Sequence, residues 1–99
     1  MADTPEKKVK TKVVAQLKTL GAYYFYPVTG GFGASGVPDI VACLKGRFIG
    51  IECKANGNKP TALQQMNLDK IAAQGGIALV IDETNVNELK GMIENVLES

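Results

Sequence analysis

The chain contains no histidine. That absence excludes imidazole general-base catalysis, serine–histidine triads and histidine-rich zinc sites together. Cysteine is scarce: Cys43 and Cys53 are too few to build a zinc site by themselves. No apolar run is long enough to span a membrane, and the charged amino-terminal stretch does not read as a signal peptide. Internal repeats and low-complexity segments are also missing. Nor is there a large excess of one charge, since the formal net charge is +1. What is present is an apolar content of 45% in 99 residues, enough for the core of one small domain covering residues 1–99.

The charges are unevenly spread. Residues 1–60 hold nine lysines or arginines against four acids, and residues 61–99 hold two against six. Such asymmetry suits a face turned toward a polyanion, although ordinary solvated helix faces produce the same pattern.

Periodicity predicts the order αβββαβα. Thr4-Pro5 opens a helix whose apolar stripe is Val9, Val13, Leu17 and Leu20, ending at Gly21. Tyr23 to Val28 reads as an aromatic-rich strand, and Thr29 to Gly36 as a glycine-rich loop. Asp39 to Leu44 and Ile49 to Lys54 read as two strands with Lys45-Gly46 midway between them. A helix is expected from about Ala62 to Gln74, stopped by Gly75-Gly76, then an apolar strand from Ile77 to Ile81. Glu83 to Leu97 completes the chain as an amphipathic helix with Leu89, Ile93, Val96 and Leu97 inward.

The hairpin carries the chemistry. With Lys45-Gly46 as its turn, residues whose numbers sum to 91 face each other, and Asp39 and Glu52 satisfy that sum. Directly opposed residues share a face with Cβ atoms roughly 5 Å apart, and Lys54, two residues beyond Glu52, shares it too. Opposed carboxylates repel unless a cation sits between them. A divalent metal is the natural occupant, since Mg²⁺ is commonly held by one or two carboxylates with water and phosphate. Taken singly, Pro38-Asp39 reads as a turn and Glu52-Cys53-Lys54 as a solvated strand face. Together they flank Ile40, Val41, Ala42, Ile49 and Ile51, and charges at the ends of strands apolar on both faces need a reason. The same register puts Cys43 opposite Phe48 and Cys53 opposite Pro38, on opposite faces. No mutual disulfide is therefore expected, and the compartment reads as reducing and cytoplasmic.

Three further features have two readings each. Gly31-Phe32-Gly33-Ala34-Ser35-Gly36 satisfies the dinucleotide fingerprint, but that motif must open a helix, and here a strand follows. A side-chain-poor loop that can approach a phosphate backbone fits better. Glu6 suits the helix dipole in the first turn, yet its spacing to Val9 and Val13 puts it on the core face. Gln64 completes a T-x-x-Q capping box with Thr61, while Gln64, Leu68 and Ile71 share a stripe that can face the hairpin.

Glu6, Gly36-Val37-Pro38-Asp39, Glu52-Cys53-Lys54 and Thr61-Ala62-Leu63-Gln64 with Gly75 resemble the VRR-NUC nucleases of the PD-(D/E)xK superfamily over about Pro5 to Ile81. The resemblance implies a small α/β fold with a restriction-endonuclease-like core: a mixed β-sheet flanked by helices on both faces. It implies Mg²⁺- or Mn²⁺-dependent phosphodiester hydrolysis. Asp39 and Glu52 would be metal ligands, with the Cys53 backbone carbonyl a third. Lys54 would orient or activate the attacking water and steady the phosphate. Glu6 would reach a metal through water, or a second ion, and Gln64 would support the site. Stand-alone domains of this type resemble phage or prophage enzymes and Holliday-junction resolvases. The expected activity is therefore a structure-selective DNA endonuclease on branched DNA such as four-way junctions. The alternatives are a sequence-independent nickase targeted by a partner, and an inactive DNA-binding or scaffold protein. Two nicks per junction call for two sites, so a homodimer is expected. The candidate surfaces are Tyr23-Tyr24-Phe25-Tyr26 and the outer side of the last helix, including Met92.

Overall fold

The computed structural model describes residues 4–28 and 35–99. Helix α1 (Pro5–Leu20) starts where Thr4 Oγ1 accepts from the Lys7 amide at 3.1 Å, and it stops at Gly21, whose φ of 77° is left-handed. Strands β1 (Tyr23–Phe25), β2 (Ile40–Leu44) and β3 (Arg47–Cys53) form an antiparallel meander. Helix α2 (Ala62–Ala73) then crosses over to β4 (Ile77–Ile81), which lies parallel to β3. The four-stranded sheet has the order β1-β2-β3-β4, and α3 (Leu89–Glu98) ends the chain.

The hairpin register agrees with the sequence: Ile40 pairs with Ile51, Ala42 with Ile49 and Cys43 with Phe48. Its turn supplies the reason. Lys45 and Gly46 both have positive φ, 52° and 79°, as the tight hairpin turn whose twist matches the strands requires.

Strand alternation divides the two faces. Ile40, Ala42, Leu44, Ile49, Ile51, Cys53 and Ile81 bury one face against Val9, Val13 and Leu17 of α1 and Leu89 and Ile93 of α3. Helix α2 covers the β3–β4 half of the opposite face, with Leu68 buried beneath it. The helix approaches closely because β3 carries a glycine there: a Cβ on Gly50 would lie 2.6 Å from Ile71 Cδ1. Tyr23, Phe25 and Phe48 are exposed, and β1 is the sheet edge. Cys43 and Cys53 are free thiols, the first exposed and the second buried.

Two expected boundaries move by three residues or more. Strand β1 ends at Phe25 rather than Val28, since Pro27 brings no amide to a ladder. The last helix starts at Leu89, after a 3-10 turn over Val86–Glu88, rather than at Glu83. There Asp82 Oδ1 accepts from the Thr84 amide and Asn85 Oδ1 accepts from the Asp82 amide, each at 2.8 Å. Those side-chain bonds compete with the helix for the same backbone groups. Met92 is partly buried against the core, so it leaves the set of outer-surface candidates. Most of the Gly31–Gly36 fingerprint lies outside the described residues, and the element after it is β2, not a helix. Among the described residues no helix is long and apolar enough to cross a membrane.

Candidate active site

The site forms where β2 begins and β3 ends. Pro38 and Gly36 set its entrance. Gly36 has φ of 78°, and a Cβ there would lie 2.7 Å from Leu63 Cγ and 3.0 Å from the Leu63 backbone, so the segment before β2 can press against the start of α2 only as glycine. That contact delivers Asp39 to the end of β3. Its Oδ2 accepts from the Cys53 amide at 2.8 Å, which fixes the carboxylate beside Glu52.

Glu52 is buried, with 1% of its surface accessible, and it is the buried charged residue among those described. Lys54 Nζ stands 3.7 Å from Glu52 Oε2. Among the described residues Glu52 Oε1 has no hydrogen-bond partner. A buried, unsatisfied carboxylate oxygen is costly and needs an explanation. Its pKa is pushed up to about 8, first by burial, then by the charge and hydrogen bonding of Asp39; Lys54 opposes this, and Glu6 adds a small further rise. Burial beside Asp39 thus favours the protonated form of Glu52 in the metal-free protein.

These features fit a divalent cation. A cation on the Glu52 and Asp39 oxygens would satisfy the orphaned Oε1 and remove the penalty that holds the acid protonated. Among the described residues no group of three or more histidine, cysteine, aspartate or glutamate side chains is arranged to hold a metal. The donor set is two carboxylates, which suits a hard ion that keeps water and phosphate in its shell. The Cys53 thiol belongs instead to the core cluster, where burial and then Asp39 push its pKa up to about 12.

Glu6 is half-buried on α1, facing a depression that also takes in Lys10, Ala55 and Asn56. Gln64 serves its cap: its Oε1 accepts from the Thr61 amide at 2.9 Å. It also lines a groove that Asp39 lines.

No family model matches the chain. It is 31% identical over 85 residues to "Putative nuclease p44" of Acyrthosiphon pisum secondary endosymbiont phage 1, covering 85% of this chain and 89% of that protein. A solved structure described as a VRR_NUC domain superposes with a TM-score of 0.73 at 22% identity, covering 88% of this chain and 95% of the other. The chain belongs to the family of that phage nuclease, and it has the fold of a VRR-NUC domain. Its mixed sheet with helices on both sides is the VRR-NUC fold.

One charged group beside Asp39 was not singled out by sequence reasoning. Lys10 Nζ lies 3.9 Å from Asp39 Oδ1, with its side chain about one-third exposed. The signal was available, since Lys10 follows Glu6 by one helical turn and shares its face. Tyr26, considered only as an interface residue, lines the groove that leads to Asp39.

Proposed function

We propose that this nuclease of VRR-NUC fold is a divalent-metal-dependent endodeoxyribonuclease that prefers branched DNA such as four-way junctions. The observation that carries the metal dependence is Glu52 Oε1: buried, unpartnered and beside a second carboxylate. Asp39 and Glu52 would hold Mg²⁺ or Mn²⁺, with the Cys53 carbonyl as a further ligand. When bound, the cation polarises the phosphate and makes water a stronger nucleophile near neutral pH.

The chain's own groups do the rest. The Cys53 amide holds Asp39 in place through Oδ2. Lys54 brings a positive charge to the carboxylate pair. There it orients the attacking water and offsets the negative charge that develops on the phosphate oxygens. Glu6 at the rim accepts hydrogen bonds from water entering the site, and Gln64 steadies the start of α2 beside the entrance. Burial of Glu52 excludes bulk water from the side of the sheet, which strengthens these interactions.

The small size of the domain leaves limited surface for branched DNA and favours a dimer, which would present two sites to a two-fold junction. The exposed Tyr23 and Phe25 on the edge strand suit such an interface. Incubation of labelled linear, flap and four-way DNA with Mn²⁺ or with EDTA tests the reading. Paired incisions in the four-way substrate with Mn²⁺ alone are expected. Equal cutting of all three substrates would favour a nickase, and binding without cleavage would favour a scaffold. Light scattering at micromolar concentration checks the dimer, and a mass of 10.5 kDa would exclude it.

A further inference from the structure

Between α1 and the Gly36–Asp39 segment runs an open groove of about 550 Å³ that ends on Asp39. Lys10 and Tyr26 line it, and the hydrolytic scheme above uses neither. Tyr26 is 50% exposed. Its ring meets Tyr24 edge-on, with centroids 6.3 Å apart and an interplanar angle of 78°. Tyr24 in turn packs against the core. The Tyr26 ring is thus braced from the inside and half open toward the groove. Lys10 stands where the groove meets the carboxylates, 3.9 Å from Asp39 Oδ1.

A cationic track beside a braced aromatic ring is the composition that holds single-stranded nucleic acid, with the backbone following the charge and a base stacking on the ring. A paired base inside a duplex keeps both faces against its neighbours and cannot stack on a side chain without being unstacked first, at an energetic cost that is least for a base already single-stranded. Tyr26 therefore discriminates where the carboxylates and Lys54 cannot, since they address a phosphodiester common to every DNA.

We propose that this groove is a subsite for one unpaired nucleotide next to the scissile phosphate, its base stacked on Tyr26 and its phosphate held by Lys10. The subsite rests on the reading of Asp39, Glu52 and Lys54 as the cleavage site. It adds to that reading a selectivity, carried by a single side chain, for branches that expose an unpaired nucleotide.

The test uses flap DNA with 2-aminopurine placed in turn at each nucleotide around the branch, bound to the intact protein in EDTA. One position beside the mapped cut should show strong quenching on binding. Tyr26→Leu should lose that quenching and weaken flap binding about tenfold, while Tyr26→Phe retains both. Lys10→Met should weaken binding to flap and duplex alike and lower the salt slope by about one ion. Circular dichroism melts establish that each variant is folded. Quenching unchanged in folded Tyr26→Leu, or quenching only at positions remote from the cut, overturns the proposal. Failure of the catalytic reading has a different signature: quenching at Tyr26 persists while no metal supports cleavage, an outcome that upholds stacking on Tyr26 but not its place beside a cut.

Discussion

Two carboxylates stand near the ends of the adjacent parallel strands β3 and β4, and the fold treats them in opposite ways. Asp82, just past β4, accepts from both the amide and the hydroxyl of Thr84. Those bonds hold its pKa below the usual carboxylate value. Glu52, on β3, is buried with Oε1 unpartnered, and its pKa is pushed up to about 8. One acid completes a turn, and its requirements are met within the chain. The other is left short of a partner at the spot where a cation would meet phosphate. Differences in donor supply and solvent access, not residue type, decide which acid is satisfied and which is not.

The largest effect should come from neutralising the unsatisfied side. Glu52→Gln or Asp39→Asn should lower Mn²⁺-supported cleavage roughly a thousandfold, measured on four-way DNA. Their stabilities should then separate. Glu52→Gln should melt at or above wild type in EDTA, because it removes a buried ionisable group. Asp39→Ala should melt lower, since the buried Cys53 amide loses its acceptor at a cost of about 1–3 kcal/mol. Near-wild-type turnover in either neutral variant would show that the two carboxylates do not hold the metal.

Lys54→Met should reduce turnover by about a hundredfold. Calorimetry should still register Mn²⁺ binding, at equal or higher affinity, because the variant removes a cation 3.7 Å from a ligand oxygen. Loss of Mn²⁺ binding with the fold intact would contradict the role assigned to this lysine.

The comparison also predicts opposite pH responses. The folded protein keeps a proton on Glu52 up to about pH 8, whereas the unfolded chain releases it near the model-compound value of 4.5. The folded state binds more protons in that window, so stability should fall as pH rises through it, by roughly 2–5 kcal/mol at most. Asp82, with a lowered pKa, should contribute stability above the ordinary aspartate range that is lost in acid. Thermal melts in EDTA at pH 5.5 and 8.5 measure the first effect, and Glu52→Gln should flatten it. Apparent Mn²⁺ affinity should rise across the same window, because binding must displace the Glu52 proton.

The smallest effect should be at the satisfied acid. Asp82→Ala should lower the melting temperature slightly and leave cleavage within about twofold of wild type. A large loss of activity there would mean that the turn after β4 helps to shape the site.

The sequence by itself determined the elements and the hairpin. The Lys45-Gly46 turn and the alternation of Ile40, Ala42, Ile49 and Ile51 leave one register that buries the apolar set; the ladder itself ends at Ile40 and Ile51, one step short of Asp39 and Glu52. These are short-range constraints, written in neighbouring residues. The extent of β1 and the start of α3 were harder to read. Pro27 and the side-chain bonds around Asp82 override propensity at those boundaries, and the outcome depends on which hydrogen bond wins. Tertiary structure alone decided that Glu52 keeps an unpartnered oxygen, that Lys10 reaches Asp39 and that Tyr26 opens onto the groove. Those facts depend on how α1 lies across the sheet and how closely α2 approaches Gly36 and Gly50. Packing between segments distant in the chain sets such distances, and no local periodicity records them.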